Sequence, residues 1–170
     1  MRGSRTIRWG LPLLLAAVLG VGAAIAATAS MHSSGGTVKV MKSSKYGTVL
    51  VTSTGLTLYR YALDKKGVIV CRAACAALWP PYLVKGTAKP TAGSGANAGL
   101  LGTIKRSKGV FQISYAGFPL YTYVGDKKPG AMTGEGFQHY WYVVSATGAM
   151  VKHAVATSGG QTTTAKKAWG

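Results

Sequence analysis

Three runs in the first half of the chain carry β-branched, aromatic and aliphatic side chains at strand spacing: TVKVM (37–41), TVLVTS (48–53) and LTLYRYAL (56–63). Thr54-Gly55 between the last two is a tight hairpin signal. The second half repeats the arrangement with LLGTIK (100–105), VFQISY (110–115) and FPLYTYV (118–124), the last two joined through Ala116-Gly117. HYWYVVS (139–145) predicts one more strand. Pro119 lacks a donor for a sheet ladder, so it belongs at a strand start or on an edge. One stretch breaks the β pattern. CRAACAALW (71–79) is alanine-rich and predicts a short helix, stopped by Pro80-Pro81. GTAKPTAGSGANAG (86–99) predicts a flexible connection, and 156–170 a disordered tail in which Trp169 is an isolated apolar residue.

The two halves are copies. At an offset of 62, Gly47 and Gly55 fall on Gly109 and Gly117, and Leu58, Tyr59, Tyr61 and Asp64 fall on Leu120, Tyr121, Tyr123 and Asp126. Lys65, Lys66 and Trp79 fall on Lys127, Lys128 and Trp141 with no gap. Such self-similarity outranks local pattern as a guide to architecture. The expected fold is mostly β: two tandem β-meander repeats sharing one core, with a short helix after the first repeat's Asp. A unit of this size is marginal alone, which is why one shared core is expected. The expected segments are a signal peptide (1–29), a flexible leader (30–36), repeat 1 (37–85), a linker (86–99), repeat 2 (100–146) and a strand remnant with a disordered tail (147–170).

The N-terminus sets the compartment. Arg2, Arg5 and Arg8 precede an apolar run from Gly10 to Ala29. Ala27-Thr28-Ala29 fits a signal-peptidase pattern, and Ala24-Ile25-Ala26 offers a second site. There is no twin-Arg pair and no nearby Cys for lipid attachment. The competing reading is an uncleaved anchor, since the run is long enough to span a membrane. The chain is expected to be secreted or held in the cell envelope, and to meet a membrane only if this segment is uncleaved.

Charge then narrows the partners. The full chain carries 20 Lys and Arg against three acids, a formal charge of +17. Cleavage removes three arginines and leaves the rest strongly cationic. Such a field attracts polyanions, here anionic envelope components such as lipids, wall phosphates or acidic polysaccharides. The basic residues are scattered in short pieces and no groove-reading motif is present, so specific nucleic-acid binding is not expected.

Two of the three acids, Asp64 and Asp126, occupy the same place in the two copies. Each follows a Tyr-x-Tyr pair and precedes Lys-Lys. One reading is structural: a short carboxylate at a strand end accepts hydrogen bonds from the N–H groups of the next turn. The other brings Tyr59, Tyr61, Asp64, Tyr121, Tyr123 and Asp126 together as a binding site for a cation, sugar or haem. Alternation places Tyr59 and Tyr61 on one strand face and Leu58 and Arg60 on the other. A hard metal wants more oxygen ligands than Asp64, Asp126 and Glu135 supply. No nucleophile–base constellation is evident, so no enzyme is expected. Trp79 and Trp141 are expected to be core anchors. Cys71 and Cys75, the only cysteines, are expected to form a disulfide in an exported protein; the alternatives are a redox pair, haem attachment, or zinc with His139 and His153. Cleavage after Ala29 would leave Ser30-Met31-His32 at the N-terminus, where an amine, two amides and the His32 imidazole make a square-planar nitrogen set for copper or nickel.

These motifs resemble the bacterial family called secreted repeat of unknown function, also described as predicted lipoproteins with a Tyr-x-(Phe/Trp/Tyr)-x-x-Asp motif. The motif stands here as Tyr59-Arg60-Tyr61-Ala62-Leu63-Asp64 and Tyr121-Thr122-Tyr123-Val124-Gly125-Asp126. Cys71, Cys75 and Trp79-Pro80-Pro81 follow the first copy as in that family. Gly117-Phe118-Pro119-Leu120-Tyr121, Pro129-Gly130, Gly134-Glu135-Gly136 and Trp141 match its second copy. The resemblance covers 37–146 and implies an exported envelope protein. The missing lipid-attachment Cys departs from it.

Overall fold

The computed structural model describes residues 36–86 and 88–154. The expected signal peptide, the leader with His32 and the tail beyond 154 lie outside the described residues. Strand β1 (Thr37–Ser43) and β2 (Gly47–Thr52) form an antiparallel hairpin. Next come a short strand β3 (Tyr59–Tyr61), helix α1 (Ala74–Leu78) and β4 (Leu83–Lys85). Strand β5 (Thr91–Ala92) leads into repeat 2, where β6 (Leu101–Ser107) and β7 (Val110–Tyr115) form the second hairpin. Strands β8 (Phe118–Pro119) and β9 (Trp141–Val143) follow. Strands β1, β2, β6 and β7 fall where alternation places them, β7 residue for residue; the hairpins expected at Thr54-Gly55 and Ala116-Gly117 close as well, Val51 bridging Thr57 and β7 pairing with β8.

The repeats are interlaced rather than set side by side. Strand β4, the end of repeat 1, pairs antiparallel with β7 of repeat 2. Strand β9, the end of repeat 2, pairs antiparallel with β3 of repeat 1, and Ser145 bridges Val49 in β2. Backbone bonds copy each other across this exchange. Leu50 N–H donates to Val144, Val144 to Leu58, and Leu58 back to Leu50. In the other half Ile113 N–H donates to Tyr82, Tyr82 to Leu120, and Leu120 to Ile113. A pseudo-twofold axis therefore relates the halves. It passes between Tyr59 and Tyr121, whose N–H and C=O groups bond reciprocally at 2.8 and 3.0 Å.

This crossing explains why the expected strands 56–63 and 118–124 are shorter in the fold. Leu58 is still bonded to its own hairpin, but Tyr59 has changed partner to Tyr121. The chain leaves one ladder to enter another. At 139–145 the strand begins only at Trp141, because Gln138 and His139 take positive φ in a 3-10 turn (Phe137–His139).

The segment 86–99, expected to be flexible, is built into the sheet. Strand β5 pairs parallel with β1, Ala98–Leu100 forms a 3-10 turn capped by the Asn97 side chain, and Asn97 N–H donates to the Tyr115 hydroxyl. Its small residues serve close approach: a Cβ on Gly95 would overlap the Val40 side chain. Gly and Ala are what let this backbone lie against β1.

Two apolar clusters fill the interior, and both draw on both repeats. One holds Val38, Leu50, Leu58, Tyr82, Val84, Ile113, Tyr115, Leu120 and Val144. The other holds Val49, Tyr59, Cys71, Trp79, Tyr121, Trp141 and Val143. Neither repeat has a core of its own, as the size of the unit requires. Among the described residues no helix is long and apolar enough to cross a membrane.

Candidate functional site

The site is assembled around the pseudo-twofold axis. Tyr59 and Tyr121 face each other there because alternation turns them into the second cluster while Leu58 and Leu120 turn into the first. Each phenol then reaches the carboxylate of the opposite repeat. Tyr59 donates to Oδ2 of Asp126 at 2.7 Å, and Tyr121 donates to Oδ2 of Asp64 at 2.8 Å. The two aspartates are buried, at 5 and 6 % exposure.

The remaining oxygen of each carboxylate serves its own loop. Asp64 Oδ1 accepts the Val70 N–H at 2.6 Å. Asp126 Oδ1 accepts the Thr133 N–H at 2.9 Å and the Thr133 hydroxyl at 2.7 Å. So one oxygen closes a local turn and the other crosses the repeat boundary. Of the six residues singled out by the motif, the fold joins Tyr59 with Asp126 and Tyr121 with Asp64. Within each motif the bond is between backbones: the N–H groups of Asp64 and Asp126 donate to the Tyr61 and Tyr123 carbonyls at 3.1 Å, while the carboxylates take their phenols from the opposite copy. The two carboxylates use separate donors.

The hairpin tips complete the exchange. Gly67, in the Lys-Lys turn of repeat 1, donates its N–H to Gly117 at the tip of the other hairpin, at 2.9 Å. Gly130 donates to Gly55 at 3.1 Å. Gly55 and Gly117 both sit at φ 85°, a conformation that costs an L side chain dearly. The four lysines of these turns, Lys65, Lys66, Lys127 and Lys128, are exposed.

Tyr61 and Tyr123 have a different role from Tyr59 and Tyr121. They cap a stack of four rings. Tyr61 lies on Trp141 at 4.6 Å between centroids, Trp141 on Trp79 at 3.9 Å, and Trp79 on Tyr123 at 4.3 Å. The tryptophan planes differ by 1°. Tyr59 and Tyr121 meet the tryptophans edge-on, at 5.3 and 5.2 Å.

Electrostatics follow from this burial. Burial, reinforced by the carboxylate of Asp126, drives the Tyr59 phenol far above the ordinary tyrosine value. Burial and then Asp64 do the same to Tyr121. Both phenols therefore stay protonated and act as donors. Burial also raises the Asp64 carboxyl, against the bonds from Val70 and Tyr121 and the charge of Arg60. Arg60 is itself buried, held by the Gly148 carbonyl at 2.6 Å and seated over the Phe118 ring at 3.4 Å.

Cys71 and Cys75 form a disulfide with Cα atoms 5.3 Å apart. Cys71 lies ahead of α1, so the bond closes the turn leading into the helix rather than one turn within it. Among the described residues, no group of three His, Cys, Asp or Glu side chains is placed to hold a metal.

Sequence reasoning did not find Val70, Thr133 or Gln112. Gln112 is fully buried, accepting from Arg106 at 2.6 Å and donating to the Leu120 carbonyl at 2.9 Å. Its only signal was a polar residue inside an apolar strand. Glu135 was visible as the third acid but not as a structural ligand. Its Oε2 accepts the Val143 N–H at 2.5 Å. At the matching place in repeat 1 stands Pro81, which has no N–H to satisfy.

A family model described as secreted repeat of unknown function matches residues 40–82 and 102–145, one match per repeat. The chain belongs to this family of secreted repeats. That membership agrees with an extracellular or envelope location and with the interlaced pair of meanders. Neither a curated protein nor a solved structure matches the chain. For this secreted repeat protein the paired matches fall on the two halves related by the pseudo-twofold axis. The Tyr and Asp of the motif are the residues that cross it.

Proposed function

We propose that this secreted repeat protein is a structural and adhesive module of the cell envelope, a rigid body that holds anionic envelope polymers against a cationic surface. The observation that carries this reading is the reciprocal Tyr–Asp pairing. Both carboxylates are buried and spend their oxygens on internal donors, so the shared motif serves cohesion between repeats. That leaves the exterior to do the binding, where the turn lysines stand exposed beside a net positive charge. The alternative, a small-ligand or metal site on the Asp and Tyr pairs, would have to displace those internal bonds. Copper binding through His32 depends on cleavage after Ala29.

The test is binding of the secreted protein to poly(glycerol phosphate), a wall-phosphate analogue, across a salt series. Affinity is expected to fall steeply and to be nearly gone by about 0.5 M salt, where the screening length shrinks to a few ångströms. Binding that ignores salt overturns the reading.

A further inference from the structure

We propose that the aromatic centre of the protein is a one-electron relay that reduces organic peroxyl radicals, with Tyr59 and Tyr121 as the electron and proton source. This activity is independent of the cationic surface. Three observations point to it.

The first is continuity. Four oxidisable rings, Tyr61, Trp141, Trp79 and Tyr123, stack in contact from one half-buried end to the other. The tryptophans between them are only 2 and 3 % exposed. An electron can therefore cross the interior in steps between touching π faces.

The second is the closeness of the stack. Aromatic pairs commonly have centroids about 4.5–7 Å apart. Trp79 and Trp141 are parallel within 1° at 3.9 Å, and Trp79 and Tyr123 lie at 4.3 Å, so the ring faces are in contact. Electronic coupling between π systems is strongest at such contact.

The third is a proton acceptor for each phenol. A buried tyrosine gives up an electron readily only if its proton leaves at the same time. Tyr59 and Tyr121 each touch a stacked tryptophan edge-on, and each already donates its hydrogen to a buried carboxylate. The unit is built twice.

A peroxyl radical at Tyr61 or Tyr123 takes one electron and becomes a peroxide anion, which gains a proton from water to give a hydroperoxide and hydroxide; the hydroxide is neutralised by the proton that the final reductant releases when it is oxidised. The electron deficit moves through Trp141 or Trp79 to Tyr59 or Tyr121. There the phenol O–H bond breaks, its proton forms an O–H bond on Asp126 or Asp64, and a neutral phenoxyl radical remains. A small one-electron reductant of the phenol or enediol class returns the electron, and the proton moves back from the carboxyl group.

The test uses the full secreted chain with peroxyl radicals released thermally from a water-soluble azo initiator. Two readouts are taken: the lag before a reporter dye bleaches, and freeze-quenched electron paramagnetic resonance. The native protein is expected to lengthen the lag and show a phenoxyl signal. Tyr59→Phe with Tyr121→Phe keeps every ring and the stack, and is expected to lose the added lag and leave a tryptophanyl signal. Asp64→Asn with Asp126→Asn, which removes the proton acceptor, is expected to do the same. Circular dichroism checks that each variant is folded. If a double variant does not fold, the single tyrosine variants are expected to lose about half the lag each, since one of two equivalent units remains. A lag and radical identity unchanged by the tyrosine substitutions would overturn the proposal, because surface aromatics would then account for the chemistry.

Discussion

The surroundings of Asp64 and Asp126 reach one geometry by different means. Both carboxylates take a phenol from the opposite repeat and an N–H from their own loop. Around Asp64 the loop is fixed by a disulfide and a short helix that carries the chain to Trp79. Around Asp126 the same work falls to the Thr133 hydroxyl, and Gly134 donates its N–H to the Tyr59 oxygen at 3.3 Å. Gly134 also packs against the Trp79 ring, where a Cβ would come within 2.6 Å. What the twofold axis touches is duplicated. What lies one shell out is free to differ, because only the crossing contacts must satisfy both repeats at once.

The severest way to break this equivalence is at the axis itself. Trp79→Ala removes a ring that touches Tyr59, Tyr123, Phe137 and Trp141. It is expected to cost about 3–5 kcal/mol, and Trp141→Ala about the same, as large-to-small changes at buried aromatics do. Urea unfolding of the two variants checks this. Unequal costs would show that one repeat carries the core.

The reciprocal pairing is tested more sharply by double-mutant cycles. Tyr121→Phe and Asp64→Asn are expected to couple by about 1–3 kcal/mol, and so are Tyr59→Phe and Asp126→Asn. The within-motif combination, Tyr59→Phe with Asp64→Asn, is expected to be nearly additive. Coupling inside the motif and additivity across it would contradict the exchange.

That cycle also marks how far the sequence could be read. The repeat, the hairpins and the local half of each aspartate's job were legible, because alternation, turn residues and a carboxylate before Lys-Lys are local signals. Which tyrosine meets which aspartate was not legible. Offset matching shows that Tyr59 and Tyr121 are equivalent, and equivalence holds whether each repeat bonds within itself or with its copy. Only the crossing of the backbone at Tyr59 and Tyr121 decides. The linker was misleading for another reason: Gly95 reads the same whether small size serves flexibility or close packing on Val40. The burial of Arg60 had no sequence signal, since alternation gave its face but not its depth.

A smaller effect distinguishes the outer supports. Cys71→Ser with Cys75→Ser opens a very short loop, so about 2 kcal/mol is expected from chain entropy. The loss should fall on the Asp64 half, seen as faster hydrogen exchange at the Val70 N–H than at the Thr133 N–H. Equal acceleration at both would mean that the halves cannot loosen separately.

The smallest change expected concerns Glu135, which accepts the Val143 N–H; repeat 1 has Pro81 in place of Val143 and so has no N–H there to satisfy. Burial raises the Glu135 carboxyl from 4.5 to about 7, opposed by the Val143 N–H and the charge of Lys45. A raised acid binds more protons folded than unfolded between those values. Its contribution is therefore fully present below pH 4.5 and is lost as pH rises to about 7. Asp64 is shifted in the same direction, so the native protein should lose stability from both acids on the way up. Glu135→Gln keeps an oxygen for the Val143 N–H and removes only one titration. At pH 4.5 its melting temperature should lie close to the native one, and at pH 8 above it. Melting curves at those two values decide the matter: a constant difference would mean that Glu135 does not titrate in this range. A difference that opens with pH would show that repeat 2 satisfies the Val143 N–H with a carboxyl whose ionisation destabilises the fold, a burden that Pro81 spares repeat 1.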